Sequence, residues 1–219
     1  DEAFEQLPDA NMALFSTPGE YTAPEIETAL DKGLHVFSFS DNISLEDEIR
    51  LKKKAHDKGL LFMGPDCGTG IISGIPIAFT NVVKPGNIGI VGASGAITVK
   101  DAIVGLEHHD PTDVIVVISK PPAKEVRDEV VALLQKCTKP VVAIFLGEKP
   151  ENHEGKVYLA HTLEETARMA VDLANGDPIK DNYCDPIDYE VSRPLAADKT
   201  VKGLYSGGSL AAEAGMLIA

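Results

Sequence analysis

Four small residues follow directly on an apolar run near the middle of the 219-residue chain. The apolar run is Ile88 to Val91, a helical pattern begins at Ala96, and between them lie Gly92, Ala93, Ser94 and Gly95. Glycines let backbone N–H groups approach a ligand closely, and a helix start adds unpaired donors at the positive end of its dipole. These residues could hold a phosphate or a carboxylate, although a tight turn without a ligand explains the same pattern.

Polar residues follow three other apolar runs, and their types suggest related chemistry. Asp41 and Asn42 could bind a ligand or cap the helix after them, and capping is the simpler interpretation. Asp66 lies beside Cys67 in a glycine-rich loop, where a cysteine is either a nucleophile or, more often, a packing residue. Lys120, which two prolines follow, could attract a phosphate or carboxylate directly, or be a solvated lysine at a strand end. Position alone makes all of these residues candidates for one ligand-binding edge, and the family resemblance given below implies the catalytic role of Lys120 and the binding role of the others.

The first third of the chain predicts strands that alternate with helices. Strands are predicted at 12–16, 34–39 and 60–63. The helices between them are predicted to end at Gly33 and Gly59, and the first is predicted to begin near Pro24, after Thr22. The stretch from Ser44 to Asp47 resembles a capping box at the start of the second helix, in which Glu46 with Arg50 and Glu48 with Lys52 are predicted to pair. This order is typical of a parallel sheet covered on both faces, with ligands collecting at the carboxyl ends of the strands.

A second alternating unit is predicted after the boundary at Lys84-Pro85-Gly86. Its predicted strands are 88–91, 113–119 and 141–146. Its predicted helices are 96–107, one that follows Pro122, and one from 163 to 175, which Thr162 with Glu165 is predicted to cap and which is predicted to end at Gly176. Residues 177–200 are rich in Asp and Pro and are predicted to be a linker. The strand-to-glycine-loop pattern returns at 201–209, so residues 201–219 are predicted to start a further domain.

Composition narrows the class of partner. The formal net charge is −14, and no basic run appears, which argues against a nucleic-acid partner and leaves small anionic substrates open. No window approaches the length of a membrane span, so no membrane partner is predicted. Three widely spaced cysteines favour a reduced, cytoplasmic setting, and the opening Asp1 without a methionine predicts a processed or truncated start.

Several motifs are specific enough to suggest a family. The order of Gly64-Pro-Asp-Cys-Gly68, the stretch from Lys84 to Gly95 and the run from Asp110 to Ile118 resembles the α subunit of succinyl-CoA synthetase. The stretches that resemble the FdrA family, a succinyl-CoA-synthetase-like group, are 40–48, 63–69, 119–123 and 203–213. The chain is therefore identified as a suspected member of the FdrA family within the acyl-CoA synthetase superfamily.

The resemblance implies an α/β fold, with a Rossmann-like CoA-binding-type domain followed by flavodoxin-like ligase domains with parallel sheets. The first domain would be 1–85, lacking its N-terminal part, and the second would be 86–176. The resemblance also implies that Ser94 and Gly95 hold a phosphate, and that Cys67 lies near the thiol end of CoA. CoA or a phosphate-bearing substrate is therefore the expected ligand, and a homo- or hetero-oligomer with other subunits is expected.

The sequence departs from the synthetase pattern in four places, and the departures at Lys120 and His153 bear on mechanism. Lys120 stands where the synthetase has a glutamate that holds its phosphorylated histidine, and His153 lacks the Ala-Gly that follows that histidine. We therefore expect phosphohistidine chemistry to be lost. Asp66 replaces an asparagine, which leaves the contact of that amide open. The family also has a further βα unit between the positions of Gly95 and Ala96, and we expect that residues are missing there.

Three functions remain open at this point. The first is an acyl-CoA or acyl-phosphate ligase or transferase, and the second, also implied by the family, is an oxamate carbamoyltransferase subunit of allantoin catabolism. The third is a non-catalytic ligand-binding subunit of a larger assembly. No metal site is predicted, because the adjacent His108 and His109 lie on different helix faces.

Overall fold

The computed structural model of the chain describes residues 2–80, 83–93, 96–120, 122–148, 153, 155–181, 183 and 213–215. The chain divides into two compact units, of which the first comprises 1–86 with 95–105 and the second comprises 87–94 with 106–219. The predicted linker at 177–200 and the predicted further domain at 201–219 fall largely outside the described residues.

The first unit is built on a three-stranded parallel sheet. Its elements are α1 (Glu2–Gln6), β1 (Met12–Phe15), α2 (Gly19–Asp31), β2 (His35–Ser38), α3 (Leu45–Asp57), β3 (Phe62–Met63) and an antiparallel hairpin of β4 (Thr69–Ile72) and β5 (Ile75–Ala78). The strand order is β1-β2-β3, with Met12 opposite His35 and Val36 opposite Phe62. All three strands therefore end at the same edge of the sheet.

Local signals in the sequence start and stop the helices of this unit. The Ser44 side chain accepts a hydrogen bond from the Asp47 amide at 3.1 Å, which confirms the predicted cap of α3. Within α3, Lys52 pairs with Glu48 at 2.6 Å as predicted, whereas Arg50 pairs with Asp47 and with Glu27 of α2 rather than with the predicted Glu46. The helix α2 begins at Gly19, earlier than expected, and contains Pro24.

The helices α2 and α3 bury one apolar face against the sheet. The core residues Ile26, Leu30, Val36 and Leu51 are fully buried. Burial of a large aliphatic side chain contributes about 1.5–3 kcal/mol, so this cluster holds the strand ends of the unit in place.

The second unit is a four-stranded parallel sheet with helices. Its elements are β6 (Ile88–Ala93), β7 (Val114–Ser119), α5 (Lys124–Leu134), β8 (Val141–Phe145), β9 (Val157–Leu159) and α6 (Leu163–Asn175). The helix α4 (Ala96–His108) follows β6 in the chain, and most of it belongs to the first unit, which includes residues 95–105. The strand order is β6-β7-β8-β9. All five residues of β8 are buried, as expected for a central parallel strand.

The prediction of an α/β fold with parallel sheets is confirmed. The hairpin β4–β5 and the short edge strand β9 were not predicted, because three or four residues carry too little periodicity to be recognised. The cap of α6 is confirmed, since the Thr162 hydroxyl accepts from the Glu165 amide at 3.0 Å and Gly176 ends the helix with φ of 77°. No helix among the described residues is long and apolar enough to cross a membrane.

Candidate functional site

In the second unit, the candidate residues meet at the carboxyl edge of the sheet. Gly92 and Ala93 of β6 lie opposite Ile118 and Ser119 of β7, and Lys120 follows directly with an exposed side chain. No described heavy atom lies within 4 Å of the position that a β carbon on Gly92 would occupy. The space in front of Gly92 is therefore open with respect to the described residues, one strand away from the residues that lead to Lys120. The other two predicted residues of this stretch, Ser94 and Gly95, lie outside the described residues.

The neighbouring strand β8 ends at the same edge in a tight turn. The Leu146 amide donates to the Ser119 carbonyl at 2.9 Å, and the Glu148 amide donates back to the Phe145 carbonyl at 2.9 Å. Gly147 makes this turn possible, because its φ of 98° is costly for any residue with a side chain. The turn brings Glu148 back to the strand ends.

Arg127 of α5 contacts this turn. Its Nε lies 3.1 Å from both carboxylate oxygens of Glu148, and its guanidinium lies 5.2 Å from the centre of the Phe145 ring. The side chain of Arg127 is only 18% exposed, so the charge is held in one place. No motif in the sequence marks Arg127, although its position on the helix that follows Lys120 places it near this edge.

In the first unit, the loops after β2 and β3 are bonded to each other. The Asp66 amide donates to the Ser40 carbonyl at 2.9 Å, and the Cys67 amide donates to the Ser38 carbonyl at 3.0 Å. Asp66 adopts φ of 58°, a left-handed conformation uncommon for a residue with a side chain. The structure thus brings the loop of Asp41 and Asn42 together with the loop of Asp66 and Cys67.

Two hydroxyl groups lie buried at this edge. Ser38 is fully buried and Ser40 is 5% exposed, and neither side-chain oxygen has a hydrogen-bond partner within the described part of the chain. A buried polar group without a partner costs about 1–3 kcal/mol, so such pairs are uncommon in folded proteins. Ser40 begins the stretch 40–48 that resembles the FdrA family, whereas no pattern in the sequence marks Ser38.

The expectation that Asp41 or Asn42 caps the next helix is wrong. Ser44 provides the cap of α3, and Asn42 adopts φ of 56°. The backbone of Asp41 and Asn42 instead packs directly on Gly19 at the start of α2, where a β carbon would overlap the Asp41 carbonyl oxygen. Both side chains of this loop are exposed.

The thiol of Cys67 is not activated by its surroundings. Burial raises its pKa most, a backbone hydrogen bond with Thr69 partly opposes the rise, and the nearby Asp66 carboxylate adds to it. A thiol with a raised pKa is protonated near neutral pH and is a poor nucleophile. Cys67 therefore suits contact with a ligand better than covalent chemistry.

His153 is exposed, and its ring also has a structural contact. Its Nδ1 accepts a hydrogen bond from the Leu159 amide at 3.1 Å, and its ring packs edge-on against Tyr158 at 5.3 Å. The imidazole is thereby held against β9. Among the described residues, no group of three or more His, Cys, Asp or Glu side chains is arranged to hold a metal ion.

The sequence is similar to those of two curated proteins. The chain is 38% identical to YahF of Escherichia coli (strain K12) over an alignment of 255 positions, gaps included. The match covers 96% of the chain and 48% of YahF. It is 33% identical over 95 residues to subunit alpha 2 of the ADP-forming succinate–CoA ligase of Archaeoglobus fulgidus, covering 41% of the chain and 33% of that subunit. No protein-family profile matches the chain.

The fold is similar to that of a solved enzyme. The structure of ATP citrate lyase from Methanothrix soehngenii in complex with citrate and coenzyme A matches with a TM-score of 0.64 at 15% identity, covering 94% of the chain and 48% of the lyase chain. The chain thus spans about half the length of YahF and of this lyase chain. It is similar in sequence to a succinate–CoA ligase α subunit, and it has the fold found in part of an ATP citrate lyase.

Proposed function

We propose that this chain is the CoA-ligase-like part of an enzyme subunit of the FdrA type. It handles an acyl group carried on a phosphate or on CoA, together with a small anionic substrate. The similarity to a succinate–CoA ligase α subunit and the fold in common with a lyase solved with coenzyme A support this class of ligand. In this proposal, residues 1–85 are the CoA-binding-type domain and 86–176 the ligase-like domain.

The observation that carries the proposal is the register of β6 against β7. Gly92 and Ala93 end beside Ser119 and Lys120, and the end of β6 is open and exposed at Gly92. Backbone amides at a strand end and a nearby ammonium group stabilise negative charge without having to reorganise during the reaction. Lys120 is the proposed catalytic residue, and Ser94 and Gly95 are proposed to complete the phosphate contacts.

The edge of the first unit is proposed to hold CoA. The hydroxyls of Ser38 and Ser40 can each donate one hydrogen bond and accept others, and neither uses this capacity within the described residues. The polar groups of a pantetheine arm or a phosphate would satisfy them. Asp41 and Asn42 would contact the ligand from the exposed loop, and Asp66 and Cys67 would line the adjoining one.

A reaction without a phosphohistidine is part of the proposal. The Nδ1 atom of His153 is engaged by the Leu159 amide, which supports a structural role for this ring. A lysine at position 120 attracts a phosphate or carboxylate, whereas a carboxylate there would orient an imidazole. Direct transfer from a bound acyl phosphate requires no enzyme-bound phosphoryl group.

A second candidate function is that of an oxamate carbamoyltransferase subunit of allantoin catabolism. Carbamoyl phosphate has a phosphate that the end of β6 could hold, and oxamate has a carboxylate that Lys120 could hold. The lysine at position 120 is the observation that favours this candidate. Both candidates place the phosphate in the same location and differ in the acceptor.

One experiment separates the candidates. The protein is incubated with ATP, CoA and succinate, and separately with carbamoyl phosphate and oxamate, and product formation is measured with and without its other subunits. CoA-thioester formation supports the first candidate, and oxalurate formation supports the second. Inactivity in both mixtures, unless other subunits are added, indicates a non-catalytic subunit of an oligomeric assembly and contradicts the enzymatic proposal for this chain.

The Lys120→Ala variant tests the site itself. Loss of one charge-assisted contact is expected to weaken phosphate binding by about 10-fold, whereas Lys120→Arg retains most of the affinity. Lys136→Ala is the matched control, because Lys136 is exposed and follows the C-terminal end of α5, away from the carboxyl edge of the sheet. Equal affinity of Lys120→Ala and the unchanged protein would remove Lys120 from the site.

A further inference from the structure

The carboxylate of Glu148 lies at an edge that is proposed to bind an anion. The turn from Phe145 to Glu148 follows β8, and Phe145 lies opposite Ser119, the residue before Lys120. An unpaired carboxylate at this place would repel a phosphate, since like charges in a partly buried site interact over several ångströms. The edge therefore needs a means of cancelling the charge of Glu148.

Arg127 has the geometry to do so. Its Nε is shared between the two carboxylate oxygens of Glu148 at 3.1 Å each, and its side chain is 18% exposed against 35% for Glu148. Its Nη1 also lies 3.8 Å from the Oδ1 of Asp128, but Lys124 pairs more closely with that exposed carboxylate, at 2.7 Å. The guanidinium also lies over the Phe145 ring, which fixes its direction. The ring belongs to the last residue of β8, so the pair is attached to the end of the strand rather than to a mobile surface.

The backbone places this pair beside Lys120. The helix α5 begins at Lys124, shortly after Lys120, and the Arg127 amide donates to the Ala123 carbonyl at 2.9 Å in its first turn. The Leu146 amide, in turn, bonds the Ser119 carbonyl. The end of β7, the turn after β8 and the first turn of α5 therefore meet at one place.

We propose that Arg127 is a positioning residue that neutralises Glu148, so that Lys120 and the strand-end amides present a net positive field to a phosphate or carboxylate. This inference rests on the proposed function, because it assumes that the edge binds an anion. Arg127 acts in it through Glu148 and not by touching the ligand. The pair thereby tunes the edge for small anionic reactants.

The test measures binding of inorganic phosphate to the full chain by calorimetry. Arg127→Met keeps the apolar stem over Phe145 and removes the charge, and it is expected to weaken binding by about 5- to 10-fold through the uncompensated Glu148. Glu148→Gln is expected to bind at least as tightly as the unchanged protein. The double variant Arg127→Met with Glu148→Gln is expected to recover most of the lost affinity, which a merely structural role would not produce.

Lys53→Ala is the control for the loss of one cation from the chain, since it breaks an exposed ion pair with Asp57 on α3 and should leave phosphate binding unchanged. If the double variant binds as weakly as Arg127→Met alone, Arg127 contacts the anion itself and the neutralising role is wrong. Unchanged affinity in Arg127→Met also overturns it. If Arg127→Met does not fold, a weaker phosphate affinity in Glu148→Gln contradicts the proposal by itself. Absence of phosphate binding by the unchanged protein overturns the proposed anion site, and this inference with it.

Discussion

The Cα atom of Gly64 lies so close to the carbonyl oxygen of Ser38 that a β carbon at position 64 would overlap that oxygen. The chain crosses here from the end of β3 to the loop that contains Asp66 and Cys67, and its φ at Gly64 is 99°. Only glycine combines this backbone angle with so close an approach to β2. The approach sets the distance between the two loops at the edge of the first unit.

We expect Gly64→Ala to lower the free energy of unfolding by about 2–4 kcal/mol, because it adds an overlap to the cost of a left-handed angle. Gly74→Ala is the matched control, since Gly74 has φ of 77° and open space where a β carbon would stand. Its cost should be about 1 kcal/mol. Urea denaturation of both variants measures the difference. An equal loss of unfolding free energy in both would show that the backbone near Ser38 can shift to accommodate the β carbon at little cost.

Replacing the unpartnered hydroxyl of Ser40 is expected to lower the affinity for CoA without lowering the free energy of unfolding. Ser40→Ala removes a buried group that has no partner among the described residues, so the free energy of unfolding should stay the same or rise. CoA affinity should fall by about 5- to 10-fold if the hydroxyl bonds the ligand. Thermal unfolding and calorimetric titration with CoA measure the two quantities.

Thr22→Val is the control for this pair of measurements. Thr22 is also fully buried, but its hydroxyl bonds the carbonyls of Thr17 and Pro18 at 3.0 Å. Its removal should therefore lower the free energy of unfolding by about 1 kcal/mol. If Ser40→Ala destabilises the protein as much as Thr22→Val does, then the Ser40 hydroxyl has a structural partner and the argument for a ligand contact fails.

The raised pKa values of two thiols predict how alkylation depends on pH. Burial raises the pKa of Cys67, and burial with the nearby Glu107 carboxylate raises the pKa of Cys137 from 9.0 to about 11. A raised pKa favours the thiol, so iodoacetamide should react slowly with both at pH 7.5. Peptide mapping should show Cys137 reacting rapidly only as the pH approaches 11, and fast labelling of Cys67 at neutral pH would contradict its assignment as a non-nucleophile.

The same shift affects stability at high pH. The pKa of Cys137 is higher in the folded protein than its ordinary value, so the folded state favours the protonated thiol. The contribution of this thiol to the free energy of unfolding is therefore fully present below about pH 9. It should be lost as the pH rises from 9.0 to about 11. Thermal unfolding of Cys137→Ala should therefore depend less steeply on pH in this window than that of the unchanged protein.

His153→Asn tests the absence of a phosphohistidine. An asparagine side chain can still accept a hydrogen bond from the Leu159 amide, so the stability should change little. Activity should persist, and neither protein should acquire acid-labile phosphate when incubated with ATP. Acid-labile phosphate on the unchanged protein, lost in His153→Asn, would restore the mechanism that depends on histidine.

The cap of α6 gives a purely structural prediction. Thr162→Ala removes the acceptor for the Glu165 amide and should lower the free energy of unfolding by about 1 kcal/mol. Thr28→Ala serves as the control, because the Thr28 hydroxyl is exposed and only bonds the Pro24 carbonyl of its own helix. That substitution should be neutral or slightly stabilising, and an equal loss in both variants would show that the cap of α6 contributes nothing measurable.

Local pattern in the sequence determined the class of fold and the starts and ends of several helices. The caps at Ser44 and Thr162, the stop at Gly176 and the apolar runs of β7 and β8 depend on residues within one turn or one strand of each other. Such signals can be identified without knowing how the chain is packed. The alternation of strand and helix then implied parallel sheets, and with them the edge at which Lys120 lies.

Only the tertiary structure decided which side chains meet at those edges. The pairing of Arg127 with Glu148, the bond from Leu159 to His153 and the burial of Ser38 and Ser40 arise when separate elements pack together. No periodicity records such contacts, because they depend on the register of neighbouring strands and on the angle at which a helix lies over them. For the same reason the sequence was sufficient to predict an anion-binding edge, whereas the positions of Arg127 and Glu148 beside it became known only from the fold.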